Sequence, residues 1–363
     1  MPHLNTINIS RKSHTSISAP RLFWLGSAML LFFMLSACGP TTVTTLLVGG
    51  DCMFGRKEAG ARPISDPWEG IAAALHHSSL FLFNLETTIG SSGISKHKQF
   101  IFQSSPAPLS QLRMLTEAAA GLANNHTMDF GVEGLARTLE ALDVFGIAHA
   151  GAGVNAEQAF APLVATVEGI SIRVFAAGVD NDSMSFASAT RPGIAGINLE
   201  VLKDGISAKR DASTLTIVML HWGVEYQPWY SFSEERIARE LIDFGADLVV
   251  GTGPHVLRGI ERYKDGLICY SLGNLVFDDV KDSRASAGAL LRMSATIAHG
   301  QILARRFSVA PLRTQTARKG PRVPMPSDAR AIIHEVAGLS PRGTGLDESR
   351  SMAEDGLLWF GLR

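Results

Sequence analysis

GADLVVGTGPHVLRGIERYKDGLICYSLGNLVFD, residues 245–278, contains two short apolar runs, Leu248-Val249-Val250 and Leu267-Ile268-Cys269-Tyr270, each followed by a polar, glycine-rich turn. Strands of a buried sheet have this form, and the turn after each strand sets polar side chains at its carboxyl edge. His255 stands in the first of these turns. Working outward, four more polar clusters follow apolar runs: Gly50-Asp51 after 46–49, Asn84-Leu85-Glu86 after 80–83, Asn124-Asn125-His126 after 121–123, and His221-Trp222-Gly223 after 215–220. Residues 172–179 read as a further strand. Helical spacing appears at 68–77, from Pro106 to about Ala120, at 133–145, and at 234–244 with Ser233 as its cap. Strands alternating with helices predict an α/β layered domain.

Beyond Phe277 the pattern weakens. Residues 290–297 and 302–309 read as an antiparallel pair turning at His299-Gly300, 327–338 as an amphipathic helix, and 340–351 as a mobile tail. Residues 180–198 form a long polar loop of a kind that serves as a lid or touches substrate. No internal repeat is present.

The 363 residues are 46% hydrophobic and 18% charged, ample for a globular core, with a formal net charge of −1. The first 37 residues contain Arg11, Lys12 and Arg21 but no acid; without these three the 33 basic residues become 30 against 34 acidic, a net charge of −4. That balance points neither to nucleic acid nor to a polybasic membrane patch. A basic start ending at Arg21, an uncharged stretch over 22–37 and the sequence Leu35-Ser36-Ala37-Cys38 make residues 1–37 a signal peptide. The small residues before Cys38 resemble the lipobox of bacterial lipoproteins. Cys38 would then carry the lipid, 38–45 would be a linker, and the chain would be anchored in the envelope, facing the periplasm from an outer membrane if the organism has one. Cys52 and Cys269 remain, and both read as buried free thiols. Neither has a second cysteine at ligand spacing, so no zinc-thiolate site is expected.

The clusters supply oxygen and imidazole donors. Asp51, directly after a strand and a glycine, is held as rigidly as a metal ligand must be, although a turn aspartate looks the same. Asn84 and Glu86 flank a leucine, which puts two oxygen donors on one side of an extended segment. Asn124, Asn125, His126 and Asp129 lie within six residues, so an imidazole and a partner to fix its tautomer are adjacent. Glu225 and Tyr226, just past His221, suit a supporting or substrate-contacting role, and Asn274 closes the opening stretch. His149 receives no role.

Taken together, Gly50-Asp51-Cys52-Met53, Asn84-Leu85-Glu86, Asn124-Asn125-His126 with Asp129 and Gly131, His221-Trp222-Gly223 with Glu225-Tyr226, and Gly251 to His255 with Tyr270-Ser271-Leu272-Gly273-Asn274 resemble the CapA family. That is the poly-gamma-glutamate capsule biosynthesis family, whose fold is similar to the calcineurin-like metallophosphoesterases. The resemblance implies a four-layered sandwich of two mixed β-sheets flanked by helices, here over 46–312, with 313–363 left as a C-terminal helix and tail. It also implies a one- or two-metal centre with Asp51, Glu86, Asn125, His126, His221 and His255 as candidate ligands and Glu86 as the bridge. His126 would serve as general acid, oriented by Asp129. Mixed carboxylate, amide and imidazole donors suit manganese, iron or zinc. Members usually carry Gly-His-x-Pro-His where this chain has Gly251-Thr252-Gly253-Pro254-His255, so one metal position is expected to be weakened. The resemblance implies a role in synthesis, export or attachment of an anionic polymer, with a polymer synthase or export subunits as partners. A metal-dependent hydrolase of a phosphoester or amide, and a polymer-binding module with a degenerate metal site, are the alternatives.

Overall fold

A computed structural model of the chain describes residues 6–9, 41–55, 64–209, 211–278, 282–314, 320–341 and 344–362. Cys38, with the lipid-anchor expectation, lies outside the described residues, as does most of the 1–37 segment. Within that segment, Thr6–Ile9 forms a strand parallel to Leu163–Val167 at a sheet edge.

Two mixed sheets carry the fold. One has seven strands in the order Thr6–Ile9, Leu163–Val167, Ile170–Gly178, Thr214–His221, Leu248–Thr252, Gly266–Cys269 and Ile260–Tyr263. The other has nine, with Gln301–Arg313, Ala287–Ala298, Thr42–Cys52, Leu80–Leu85, Ala118–Gly121 and Ala148–Ala150 in succession and Asn274–Val276 also paired to Thr42–Cys52. Period-two alternation sorts their side chains into layers. Leu46, Val48, Leu80, Leu82, Ile217, Met219, Leu248 and Val250 meet between the sheets in one core. Leu47, Phe81 and Phe83 point the other way, onto helices Ala107–Arg113 and Gly131–Val144. Val218, Leu220 and Val249 pack against helices Leu199–Ser207 and Phe232–Phe244 on the far side. The result is the expected four-layered α/β sandwich.

Several local expectations need correction. The helix begun at Pro106 ends at Arg113, and Ala118–Gly121 is a strand. Alanine is the best helix former, but here three consecutive alanines are small enough to sit between Leu80–Leu85 and Ala148–Ala150, and sheet burial overrides propensity. Helix Phe232–Phe244 begins two residues earlier than expected, because Ser231 and not Ser233 forms the reciprocal capping box with Glu234, an arrangement that contributes about 1 kcal/mol. The linker expected at 38–45 is already sheet from Thr42 onward. The tail expected after residue 340 is instead a hairpin, Leu346–Glu354 with Leu357–Leu362, added to the edge of the nine-stranded sheet, with Trp359 and Phe360 buried on opposite faces. The 180–198 loop contains a short strand, Gly193–Ile194, paired with Ala152–Gly153, and Lys96 holds it through Asp182 at 2.7 Å. The turn at His299-Gly300 is as expected, with both residues at positive φ. Cys52 and Cys269 are free and buried. Among the described residues no helix is long and apolar enough to cross a membrane.

Candidate metal centre

The five clusters meet at the carboxyl ends of the central parallel strands. Asp51 lies next to the end of Thr42–Cys52, with Asn84 opposite it on one neighbouring strand and Asn274 on the other. This register needs Gly50: a Cβ there would stand 1.9 Å from the Gly273 carbonyl oxygen, which accepts from the Asp51 N–H at 3.0 Å. Asp51 is wholly buried; Oδ1 accepts from the Asn84 amide at 2.8 Å and Oδ2 from the Gly253 N–H at 3.0 Å, a bond that ties the two sheets together. Gly253 reaches that position at φ +102°, where any side chain would be strained.

Around Glu86 the geometry is more specific. His126 places Nδ1 2.8 Å from Asp129 Oδ2, which also accepts from the Phe102 N–H at 2.8 Å. His255 places Nδ1 3.0 Å from Asn274 Oδ1 and 3.3 Å from Asp51 Oδ2. The Asn274 amide nitrogen donates to the Ala285 carbonyl at 3.1 Å, which fixes the orientation of that amide. The acceptors at Nδ1 hold a proton there in both histidines; Nε2 carries the lone pair of neutral His126, whereas His255, lifted to about 10, also carries a proton on Nε2 until an ion displaces it. Both Nε2 atoms face Glu86 Oε1, at 3.9 Å from His126 and 3.6 Å from His255. That oxygen is buried and has no hydrogen-bond partner. A buried carboxylate oxygen left unpaired is costly. Ligand atoms that share an ion at about 2.1 Å stand roughly 3–4 Å apart, the separation that each of these nitrogens keeps from Glu86 Oε1. The residues therefore fit a divalent metal. Asp51, Glu86 and His221 also offer ligand atoms within 4.8 Å of one another.

His221 is used differently. Its Nδ1 lies 3.2 Å from the Asn84 amide nitrogen, 3.2 Å from Thr252 Oγ1 and 3.9 Å from Asp51 Oδ1, and its Nε2 is 3.0 Å from Asn125 Oδ1. Thr252 thus occupies the corner where the resemblance leads one to look for an imidazole.

Burial drives the charge states. It pushes Glu86 well above the usual carboxylate range, and neighbouring Asp51 adds to the shift while His255 opposes it. Burial also pushes Asp51 up, but His255, His221 and the Gly253 N–H outweigh it, so this carboxyl ends below its ordinary value. His221 is held down at about 3, chiefly by burial. Burial disfavours the charged form of His255 too, yet Glu86 and Asp51 lift it to about 10. His126 is lowered, with burial outweighing Asp129. Neutral His126 presents an acceptor at Nε2, so its resting form fits a ligand or base, and an acid role calls for a second proton.

Of the predicted metal, catalytic and supporting residues, all but Glu225 and Tyr226 are drawn into this network. Asn124 is a fastener: it donates to Asn84 Oδ1 and the Leu85 carbonyl and accepts from the His126 N–H. Glu225 and Tyr226 stand at the exposed rim, the tyrosine ring 6.0 Å from His255. Four contributors were not legible in the sequence: Lys98, Phe102 stacked 3.9 Å from the His126 ring, Phe277 at 4.8 Å from His255, and the Gly253 N–H. Met53, Phe102 and Phe277 form a small apolar wall there. A cavity of about 860 Å³ opens at the opposite ends of the strands, but its Lys264–Asp243 and Arg305–Asp247 pairs are already matched and none of the site residues reaches it.

Residues 45–279 match the family described as bacterial capsule synthesis protein PGA_cap. This chain belongs to that family. The matched PGA_cap region begins in the strand that carries Asp51 and ends just past Asn274, so it encloses all five clusters. Among curated PGA_cap relatives, capsule biosynthesis protein CapA of Bacillus anthracis is 38% identical over 43% of this chain and 39% of its own length. PGA biosynthesis protein CapA of Bacillus subtilis is 32% identical over 50% and 48%. A probable polyglutamine synthesis accessory protein of Mycobacterium tuberculosis is 32% identical over 58% and 60%. The chain thus spans less than two thirds of each of these relatives. Among solved structures, the calcineurin-like phosphoesterase YfkN of Bacillus subtilis aligns with a TM-score of 0.42 and 12% identity over 82% of this chain and 98% of that one.

Proposed function

We propose that this PGA_cap protein acts at the cell envelope in the synthesis, export or attachment of an anionic polymer of the poly-gamma-glutamate type, through a divalent metal centre that cleaves or transfers a phosphoester or amide bond. The observation that carries the reading is the convergence of His126 Nε2 and His255 Nε2 on the unpaired, buried Glu86 Oε1. A divalent ion bound there supplies Lewis-acid polarisation of a phosphoryl or acyl oxygen and activates water near neutral pH. The chain's residues do the rest. Asp129 and Asn274 hold protons on the Nδ1 atoms, Asn84 and the Gly253 N–H fix the Asp51 carboxylate, and Met53, Phe102 and Phe277 keep water from one side. The mixed donor set suits manganese, iron or zinc. Anchoring through lipidated Cys38, and partnership with a polymer synthase or export subunits, belong to the same proposal.

A second reading, a polymer-binding module without turnover, is favoured by Thr252, which leaves His221 engaged with protein groups on both ring nitrogens. The purified chain, assayed with manganese against phosphomonoester, phosphodiester and gamma-glutamyl amide substrates, separates the two. Turnover that disappears in His126→Ala supports the metal-dependent reaction; polymer binding with neither metal nor turnover rejects it. For the anchor, cells fed a labelled fatty acid should label the wild-type chain and not Cys38→Ser, and a Cys38→Ser chain that still labels would refute lipidation.

A further inference from the structure

We propose that Lys98 is a positioning residue for the metal centre, an inference that rests on the metal-centre reading above. Lys98 comes from the 90–102 excursion between the short paired strands Thr88–Ile89 and Gln103–Ser104, in no contiguous motif with the five clusters. Its Nζ donates to the Asn125 carbonyl at 2.7 Å and stands 2.5 Å from Asp129 Oδ1. One ammonium therefore joins both ends of the Asn125-to-Asp129 turn, whose residues supply a candidate ligand, Asn125, and the acceptor that orients another, His126. The opposite oxygen of Asp129 is the one that meets His126 Nδ1. The Lys98 charge beside Oδ1, an oxygen with no hydrogen-bond partner, favours the carboxylate orientation that keeps Oδ2 on the imidazole and Nε2 aimed at Glu86.

The surrounding contacts carry the same constraint. The Lys96 N–H donates to the Asp129 carbonyl at 2.8 Å, the Phe102 N–H donates to Asp129 Oδ2, and the Phe102 ring lies on the His126 ring with planes 21° apart. The excursion thus grips the turn by backbone at both ends and by a single cation in the middle. Asp129 is wholly buried while Lys98 is 29% exposed, so the lysine reaches in from the rim to a carboxylate that solvent does not reach. An outer-shell partner of this kind affects metal affinity through the ligands that it orients.

The test is manganese affinity of the full chain by equilibrium titration, which needs no assumption about substrate. Lys98→Ala should weaken manganese binding about 10- to 100-fold, and adding butylamine, whose ammonium can enter the space left by the side chain, should recover most of the loss. Lys98→Arg should stay within a few-fold of wild type and carries the test if Lys98→Ala does not fold. Unchanged affinity in Lys98→Ala, or a loss that the amine does not repair and that Lys98→Arg shares equally, overturns the inference. If the wild-type chain itself binds no manganese, the metal-centre reading falls and takes this inference with it; if wild type binds and Lys98→Ala binds equally, only the role of Lys98 is refuted.

Discussion

His255 and His221 come from the ends of neighbouring parallel strands and both are buried near Asp51, yet their ring nitrogens are committed differently. His255 has Nδ1 held by Asn274 and Nε2 directed at a carboxylate oxygen that nothing else satisfies. His221 meets Asn84 and Thr252 on one nitrogen and Asn125 on the other. The difference teaches that burial and position at a strand end do not make a ligand. What counts is whether the partners at one nitrogen leave the other facing a buried carboxyl oxygen that no hydrogen bond satisfies. By that criterion the face of Glu86 toward His126 and His255 is open to an ion, while His221, although it stands with Asp51 and Glu86 within 4.8 Å, is partly engaged by internal hydrogen bonds to Asn125 and Thr252.

This comparison can be broken most readily at the two histidines. His255→Ala should reduce manganese binding below detection, whereas His221→Ala should leave one ion bound; equal losses in calorimetric titration would erase the distinction. Next in size, removal of either brace should weaken the first ion about 10- to 100-fold without removing a ligand: Asn274→Ala leaves Nδ1 of His255 with Asp51 alone, and Asp129→Ala frees Nδ1 of His126. An affinity within about twofold of wild type in both variants would mean that the braces are packing only. A smaller effect is expected from Thr252→His. Restoring an imidazole beside His221 and Asn125 should add a second, weaker ion, read as a rise in metal-to-protein ratio at saturating manganese, and an unchanged ratio would show that Thr252 is not what limits that side.

Much of this contrast could be read from the chain before any coordinates. Apolar runs ending in polar turns marked Asp51, Glu86, His126, His221 and His255 as groups at the carboxyl ends of strands, because buried parallel strands need continuous apolar sequence and end where polar groups resume. Thr252 could be flagged as the odd position by resemblance alone. The braces were hidden for a physical reason: Lys98 and Phe102 act across space from a stretch with no periodicity, and no sequence pattern ties an ammonium to a carboxylate 31 residues away. The C-terminal hairpin escaped for another reason. Leu346–Glu354 is an edge strand whose sequence carries no apolar alternation, and its partner strand Leu357–Leu362 is only six residues long. At Ala118–Gly121, local helix preference and the demand for small residues beneath a packed sheet point in opposite directions, and only the neighbouring strands decide between them.

Glu86 is where both sides of the pocket meet, and its unpaired oxygen is the centre of the account. Elemental analysis of the wild-type protein and Glu86→Gln, purified side by side and dialysed against the same manganese buffer, tests it most directly. At least one manganese ion per wild-type chain, absent from Glu86→Gln with the fold intact by circular dichroism, is the predicted result. A wild-type chain without metal, or a Glu86→Gln chain that retains its ion, would contradict it.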